Sequence, residues 1–186
     1  MLWAAAAGHP SAARADQTDA GHPPCTLLYN GGGTLTDNEK VNGVWTEADQ
    51  RVNDGVNSGL AASGFDIRYY IARAQGSQAR LAEVVAQLKE TKCAKVIQVT
   101  RTLGGSPGTK FFSYAVLVIH LDEKRIGAGT SYTVAGDYSK DYKYPMTEEV
   151  LRTLSLSGVG KQIAADIDAS KVLADMKSAP APTPGT

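Results

Sequence analysis

The sequence predicts a single α/β domain with the element order β-α-β-α-β-β-β-α, in which a mixed five-stranded sheet carries helices on both faces. Three observations support this prediction. The 186 residues are 42% hydrophobic, which is enough for one domain with a packed core. Segments with strand and helix periodicity alternate over the first hundred residues. The most apolar run, Phe111 to Leu121, is typical of a strand that is buried on both faces and lies in the middle of a sheet.

The first half of the chain predicts two βαβ units. Strands are expected at 25–30, 65–71 and 94–100, with a polar loop over 34–44 after the first. A helix is expected from Thr46 to Gly64 and a second one from Ser77 to Lys92, and each carries an apolar stripe. The stripes are Ala48, Val52, Val56 and Leu60, then Leu81, Val84, Val85 and Leu88. Right-handed crossovers with the strand order 2-1-3 place these helices on opposite faces.

The second half predicts an antiparallel meander followed by a helix. The fourth strand, at 110–121, is expected to end in a tight charged turn at 122–125, and the fifth strand runs from Ile126 to Val134. Residues 136–146 are expected to form a loop. A long helix then begins at Thr147, with Glu148 and Glu149 in its first turn, where the helix dipole favours acidic residues.

The termini predict three regions: a signal-peptide remnant and flexible leader at 1–24, the domain at 25–177, and a disordered Pro/Ala-rich tail at 178–186. An apolar run opens the leader, and Ala13-Arg14-Ala15 supplies a small-x-small cleavage site before Asp16. We therefore expect a periplasmic or secreted protein. No positive residue precedes the apolar run and Gly8-His9-Pro10 interrupts it, so a disordered Ala-rich tail stays open as the alternative.

Charge and cysteine usage limit the possible functions. Nineteen basic residues balance nineteen acidic ones, which disfavours a nucleic-acid partner, and no spacing typical of a metal or cofactor site occurs. Cys25 and Cys93 lie just before two strands that are expected to be parallel neighbours. In an exported protein we expect them to form a disulfide, worth about 4 kcal/mol by the chain-entropy model. Two free buried thiols are the alternative.

Motifs for catalysis are sparse. His9 and His22 lie in the leader, so a Ser-His-Asp triad would have to use His120, and no nucleophile elbow accompanies it. Gly104 to Lys110 lacks the spacing of a phosphate-binding loop, and Gly31 to Gly33 lacks the dinucleotide-binding pattern. A non-catalytic protein is therefore more expected than an enzyme, and His120 is expected to be structural.

A segment rich in tyrosine and lysine is the strongest candidate for a binding surface. It contains Tyr138, Lys140, Tyr142, Lys143 and Tyr144. Tyrosine offers a large contact area at low entropic cost and is favoured at interfaces. The alternative is that the rings pack over the edge of the sheet while the lysines stay solvated. A second, weaker patch comprises Arg68, Tyr69, Tyr70 and Arg73.

Over residues 25–170 the order of elements resembles the α/β domains of bacterial cell-envelope assembly proteins. Examples are the curli secretion lipoprotein, the outer-membrane activators of penicillin-binding proteins and the N-terminal domain of the Tol-Pal β-propeller protein. The resemblance is one of topology and compartment and carries over no functional residue. It implies a non-catalytic binding or assembly module with a protein partner in the envelope. A small-molecule-binding protein with a pocket at the ends of the parallel strands, or an envelope hydrolase that uses His120, remain the alternatives.

Overall fold

The structure is a computed structural model that describes residues 24–33, 36–71, 77–106, 108–126 and 129–177. The predicted leader, apart from Pro24, and the predicted tail lie outside these residues. The elements are β1 (Thr26–Gly33), α1 (Glu39–Ala62), β2 (Ile67–Ile71), α2 (Ser77–Thr91), β3 (Lys95–Ser106), β4 (Thr109–Ile126), β5 (Gly129–Pro145), α3 (Glu148–Thr153), α4 (Leu156–Ser170) and a 3₁₀ turn at Ala174–Met176.

The five strands form one mixed sheet in the order β2-β1-β3-β4-β5. β1 is parallel to both β2 and β3, and β3, β4 and β5 form an antiparallel meander. The larger core lies on the face covered by α1 and α4, and a smaller core lies under α2 on the opposite face. We call these the α1 face and the α2 face. The predicted fold class and strand order are confirmed.

Helix α1 begins at Glu39, so the predicted start at Thr46 and the predicted loop over 34–44 are wrong. Asn38 caps the helix, because its side chain accepts hydrogen bonds from the backbone N–H groups of Lys40 and Val41. The added turns carry Val41 and Trp45, and the Trp45 ring packs on Phe112 of β4. The other end follows the prediction, since Gly64 adopts a φ of +87° directly after the helix.

Helices α1 and α4 cross with their backbones in close contact. A Cβ atom on Gly160 would lie 2.1 Å from the carbonyl oxygen of Val52, and one on Gly55 would lie 2.4 Å from the carbonyl oxygen of Ser157. Both positions therefore require glycine. The glycines thus serve the contact between the two helices.

The predicted long C-terminal helix is divided into α3 and α4. Leu154 leaves the helical conformation with a ψ of 119°, and Ser155 starts α4 by accepting a hydrogen bond from the Gly158 N–H. The break lies at Leu154 and Ser155, before the glycines of α4. The break lets the short helix α3 face the start of α1 across a cavity, while α4 packs against α1 and the core of the α1 face.

Strands β4 and β5 form a hairpin that is longer than predicted. Their pairing runs from Phe111 opposite Pro145 to Ile126 opposite Gly129. The charged turn expected at 122–125 is part of β4, and the loop expected at 136–146 is almost entirely part of β5. Both predictions are wrong because these segments are rich in polar residues, so no apolar pattern in the sequence marks them as strands. The register shifts once, next to Val118, where β5 has one additional residue, Asp137.

Strand β4 is buried on one face and partly open on the other. Its side chains on the α1 face are buried: Phe112, Tyr114, Val116 and Val118. On the α2 face Leu117 is 37% exposed, because α2 packs over β1 and its neighbours. The expectation that this run is buried on both faces therefore fails at Leu117, and β3 is the strand in the middle of the sheet.

Candidate functional site

An apolar groove lies between the first turns of α1 and the short helix α3. We call it the α1–α3 groove. Its cavity has a volume of about 330 Å³ and is lined by Val41, Val44, Trp45, Ala48, Phe112, Val150, Leu151, Leu154 and Leu156. Val44 is 67% exposed and Leu151 is 54% exposed, one on each helix. Exposed large apolar side chains on both walls of a cavity are typical of a binding site.

The indole of Trp45 is held between two buried groups. Its ring centroid lies 5.4 Å from that of Phe112, and the guanidinium carbon of Arg101 lies 4.6 Å from the indole. Arg101 Nε in turn donates to Asp49 Oδ1 at 2.9 Å, and both side chains are almost fully buried. Burial raises the pKa of Asp49 above its ordinary value, while the Arg101 guanidinium opposes that rise. The groove therefore lies over a rigid ion pair in the core.

The start of α3 is anchored to the sheet. The Met146 N–H donates to the backbone oxygen of Lys110 at 2.8 Å, which ties the end of β5 to β4. Thr147 then caps α3 by accepting a hydrogen bond from the Val150 N–H. The second wall of the groove is thus fixed at its base by backbone pairing.

Two further cavities continue the groove toward the turn between β3 and β4. The first has a volume of about 620 Å³, shares Val41 and Trp45 with the groove and reaches Lys110. The second, of about 420 Å³, shares Lys110 and is lined by Phe111 and Lys143. Lys143 Nζ lies 3.6 Å from the centroid of the Phe111 ring. Across the three cavities, the charged residues among the described ones that line them are the two lysines.

The predicted tyrosine and lysine segment lies on β5. Tyr142 is only 8% exposed, and its hydroxyl donates to Asp166 Oδ2 on α4 at 2.7 Å. Lys140 Nζ lies 2.7 Å from the same oxygen. Tyr138 and Tyr144 are partly buried against the same core. These rings therefore pack between the sheet and α4.

The contacts at Asp166 perturb the pKa values of its own carboxyl and of its hydrogen-bond partners. Burial by itself would raise the pKa of Asp166, but hydrogen bonds from Lys140, Tyr142 and Gln162 outweigh burial and hold that pKa below its ordinary value. Burial and then the hydrogen bond to Asp166 raise the pKa of the Tyr142 phenol. Lys143 is exposed on the α2 face, away from this cluster. A role of the segment in partner binding stays a prediction.

Cys25 and Cys93 are joined by a disulfide, with 4.5 Å between their Cα atoms. They lie at the amino ends of β1 and β3, and the Ala94 N–H donates to the Cys25 carbonyl at 3.0 Å. The disulfide belongs to the small core under α2. Parallel pairing of the two strands brings the cysteines to the same end of the sheet.

His120 pairs with the additional residue of β5. Its Nδ1 lies 2.8 Å from Asp137 Oδ1, and Lys95 Nζ lies 3.8 Å from the other oxygen of that carboxylate. Lys95 also donates to the Val172 carbonyl at 2.6 Å and pairs with Asp175 at 3.2 Å. The cluster thus attaches the segment after α4 to the sheet. Sequence reasoning missed Asp137, because a bulge is not visible in the sequence pattern.

The two tyrosines of the second predicted patch are partly buried, while Arg68 is exposed and pairs with Asp66. Tyr70 stacks on Tyr29 at a centroid distance of 6.0 Å, and both hydroxyls donate to Glu83 on α2. Burial and the Glu83 carboxylate raise the pKa of Tyr29 to about 12. Tyr69 packs against the core of the α1 face, and Arg73 lies outside the described residues.

Sequence reasoning also missed the residues of the groove. Val41 and Trp45 continue the predicted α1 stripe from Ala48 toward the N-terminus at helical spacing, and this spacing is the signal by which the sequence could have indicated the groove. Within the described ranges, no three His, Cys, Asp or Glu side chains form a group that could hold a metal ion. None of the helices described is both long and apolar enough to cross a membrane.

Comparisons with known proteins were made at three levels. No protein-family model and no curated protein sequence matches the chain. Similar solved structures include the PelC dodecamer from Paraburkholderia phytofirmans, with 14% identity over 85% of this chain and 91% of that one and a TM-score of 0.38. The hypothetical protein CT253 from Chlamydia trachomatis has 9% identity over 82% and 98%, with a TM-score of 0.40. Lipoprotein GNA1162 from Neisseria meningitidis has 16% identity over 76% and 97%, with a TM-score of 0.35. At these TM-scores the likeness supports no conclusion about function.

Proposed function

We propose that this protein is an exported, non-catalytic binding module of the bacterial cell envelope and that the α1–α3 groove is its binding site. The observation that carries the proposal is the exposure of Val44 and Leu151 on the two walls of a cavity lined by apolar residues. Leaving such side chains in water forgoes about 1.5–3 kcal/mol each of burial energy, which a bound apolar group recovers. The groove can therefore bind an apolar part of a partner by burying these two side chains.

Export is supported by the disulfide and by the leader sequence. Disulfides form and persist in oxidising compartments such as the periplasm. Cys25 and Cys93 are bonded to each other in the core under α2. Together with the small-x-small site before Asp16, the disulfide supports a location outside the cytoplasm. Cell fractionation and N-terminal sequencing of the mature chain test this part, with Asp16 as the expected first residue.

The groove is favoured over the edge of the sheet as the binding surface. β5 is one of the two edge strands, with β2 at the other edge, and it carries several features that protect edges from pairing with another chain. Lys140 and Lys143 lie along it, Asp137 forms a bulge, and Pro145 ends it. Lys143 and the exposed flank of β5 stay the proposed contribution of the tyrosine and lysine segment to binding.

Photocrosslinking from the groove tests the proposal for a protein or a small ligand alike. The photoreactive amino acid p-benzoylphenylalanine replaces Val44, cells are irradiated, and adducts are identified by gel mobility and intact mass. Leu81, an apolar residue of α2 that is 46% exposed, is the matched control position. A specific adduct at position 44, lost in Leu151→Asp, is expected. No adduct above that formed at position 81 would refute the groove as the binding site.

A hydrolase is the second candidate, and it is favoured by the pairing of His120 with Asp137. An acid that accepts a hydrogen bond from Nδ1 of a histidine orients the ring as a general base. Asp137 also lies near Lys95, and Lys95 anchors the segment after α4 through the Val172 carbonyl. A purely structural role therefore accounts for the cluster as well. The variant His120→Ala distinguishes a catalytic from a structural role of this histidine. Loss of a hydrolytic activity of the purified protein, with an unchanged unfolding midpoint, would favour the enzyme.

A further inference from the structure

We infer that the ligand of the α1–α3 groove is a single-chain amphiphile with an anionic head group, such as a fatty acid or an alkyl phosphate. This inference rests on the proposed function, because it names the ligand class of the same site. It is carried by three cavities, of which the second shares lining residues with both the groove and the third cavity. They lead from an entirely apolar groove, past Trp45, to two lysines.

The apolar end suits an alkyl chain. Its walls are side chains of Val, Leu, Phe and Ala together with the ring of Trp45, and they enclose about 330 Å³. Small-molecule sites have volumes of about 300–1,000 Å³ and orient polar ligands through a few polar groups. The lining of this cavity has no charged residue, so it selects for apolar volume and leaves a polar head group outside.

The other end suits a negative charge. The second cavity shares Val41 and Trp45 with the groove and is bounded by Lys110 and Ser106 at the turn between β3 and β4. Lys143 lines the third cavity, which shares Lys110 with the second, and reaches it from the α2 face, so Lys110 is the nearer charge to the groove. Lysine is a flexible point charge that binds phosphate and carboxylate groups. A head group that projects from the groove past Trp45 therefore meets positive charge.

Trp45 lies between the apolar groove and the cavity that reaches Lys110, and its fluorescence can report binding. The full sequence contains two tryptophans, Trp3 and Trp45, so either cleavage before Asp16 or Trp3→Phe leaves one indole, in the wall of the groove. An alkyl chain that enters the groove displaces water from this ring and shifts its emission to shorter wavelength. The shift reports occupancy of the site directly.

The test is a fluorescence titration of the full chain carrying Trp3→Phe. The probes are decyl phosphate and decyltrimethylammonium, which share the alkyl chain and differ in the sign of the head group, both below their critical micelle concentrations. Saturable one-to-one binding of decyl phosphate is expected, at least about 10-fold tighter than that of the cationic probe. Far-ultraviolet circular dichroism verifies at each concentration that the fold is retained.

Two variants separate the contributions of tail and head. Leu151→Asp is expected to weaken both probes by at least about 10-fold, because it places a charge on the apolar wall. Lys110→Gln is expected to weaken decyl phosphate by about 5-fold and to leave the cationic probe unchanged. Leu81→Asp and Lys89→Gln on α2 are the matched controls and are expected to change neither.

Each other outcome overturns a defined part of the inference. Equal affinity for both probes, unchanged in Lys110→Gln, overturns the anionic head group. Flotation with vesicles of phosphatidylglycerol, without saturable binding of monomeric decyl phosphate, indicates a bilayer surface and overturns the free amphiphile. If neither probe binds but position 44 crosslinks to a protein, the ligand class is wrong and the proposed function stands. If neither probe binds and position 44 forms no adduct, both are wrong.

Discussion

The guanidinium carbon of Arg101 lies 4.6 Å from the centroid of the Trp45 ring, while Nε of the same side chain donates to Asp49 at 2.9 Å. One arginine therefore connects an ion pair in the core to the wall of the candidate binding groove. Arg101 is 2% exposed, and Gly33 lies so close that a Cβ there would be 2.7 Å from its guanidinium. The packing leaves Arg101 little room to move, so the position of Trp45 depends on the core.

Replacing Arg101 is expected to destabilise the protein strongly. Arg101→Met leaves the Asp49 carboxylate buried without its cation, which costs about 3–5 kcal/mol in comparable cases. The double variant Asp49→Leu with Arg101→Met removes both charges and is expected to recover part of that loss. Urea unfolding followed by circular dichroism measures both. A double variant as unstable as Arg101→Met alone would show that the loss reflects packing, not the unpaired charge.

The crossing of α1 and α4 predicts opposite effects for two glycines replaced by the same residue. Gly160→Ala places a Cβ atom 2.1 Å from the carbonyl oxygen of Val52, so the helices must separate. We expect a loss of about 2 kcal/mol or more, as in other cases of overpacking. Gly43→Ala is the matched control, because a Cβ there meets nothing within 4 Å. It is expected to stabilise α1 by about 1 kcal/mol. Equal effects in thermal unfolding would contradict the crossing.

The sequence was sufficient for the topology because strands and helices in the first hundred residues have clear apolar periods. The stripe of Val52, Val56 and Leu60 identified α1, and the run around Val116 identified β4. The cysteine pair also followed from the order of the strands, since parallel pairing brings Cys25 and Cys93 to one end of the sheet.

The candidate site could not be predicted for a physical reason. Val44 and Leu151 are distant in sequence, and each is exposed, so neither contributes to a buried stripe. Their significance comes from the break at Leu154, which lets α3 face the start of α1. The long β5 was missed for a related reason. Its alternating Lys, Tyr and Asp residues are typical of a loop when the sequence is considered alone. In the folded protein, Asp166 of α4 binds the Lys140 and Tyr142 side chains on one face of the strand.

Removal of the disulfide is expected to lower stability by about 4 kcal/mol in the chain-entropy model, because the bond restricts a long loop of the unfolded chain. The two cysteines are 68 residues apart in sequence. Urea unfolding midpoints with and without dithiothreitol measure the effect. The double variant Cys25→Ser, Cys93→Ser is the control and is expected to unfold at the lower midpoint whether or not reductant is present. A midpoint of the unchanged protein that reductant does not lower would contradict a stabilising disulfide.

The Asp166 cluster predicts a loss of stability in acid. The ordinary pKa of an aspartate is about 3.8, and hydrogen bonds from Lys140, Tyr142 and Gln162 hold the pKa of Asp166 below that value in the folded protein. Between the two pKa values the unfolded chain binds more protons than the folded one. The contribution of Asp166 is therefore fully present above the unfolded-state pKa and is lost as the pH falls through the lower, folded-state pKa.

Two variants of this cluster separate its charge from its hydrogen bond. Asp166→Asn is expected to be less stable than the unchanged protein at pH 6 and to lose less stability between pH 5 and about 2.5, because the titrating group is absent. Tyr142→Phe removes one donor and is expected to cost about 1 kcal/mol at pH 6 while keeping most of the acid slope, since Lys140 still holds the carboxylate. Asp141→Asn, at an exposed aspartate of β5 on the opposite face, is the control and is expected to keep the slope. If Asp166→Asn loses stability in acid as steeply as the unchanged protein, the slope arises from other carboxylates and Asp166 is not the group that titrates.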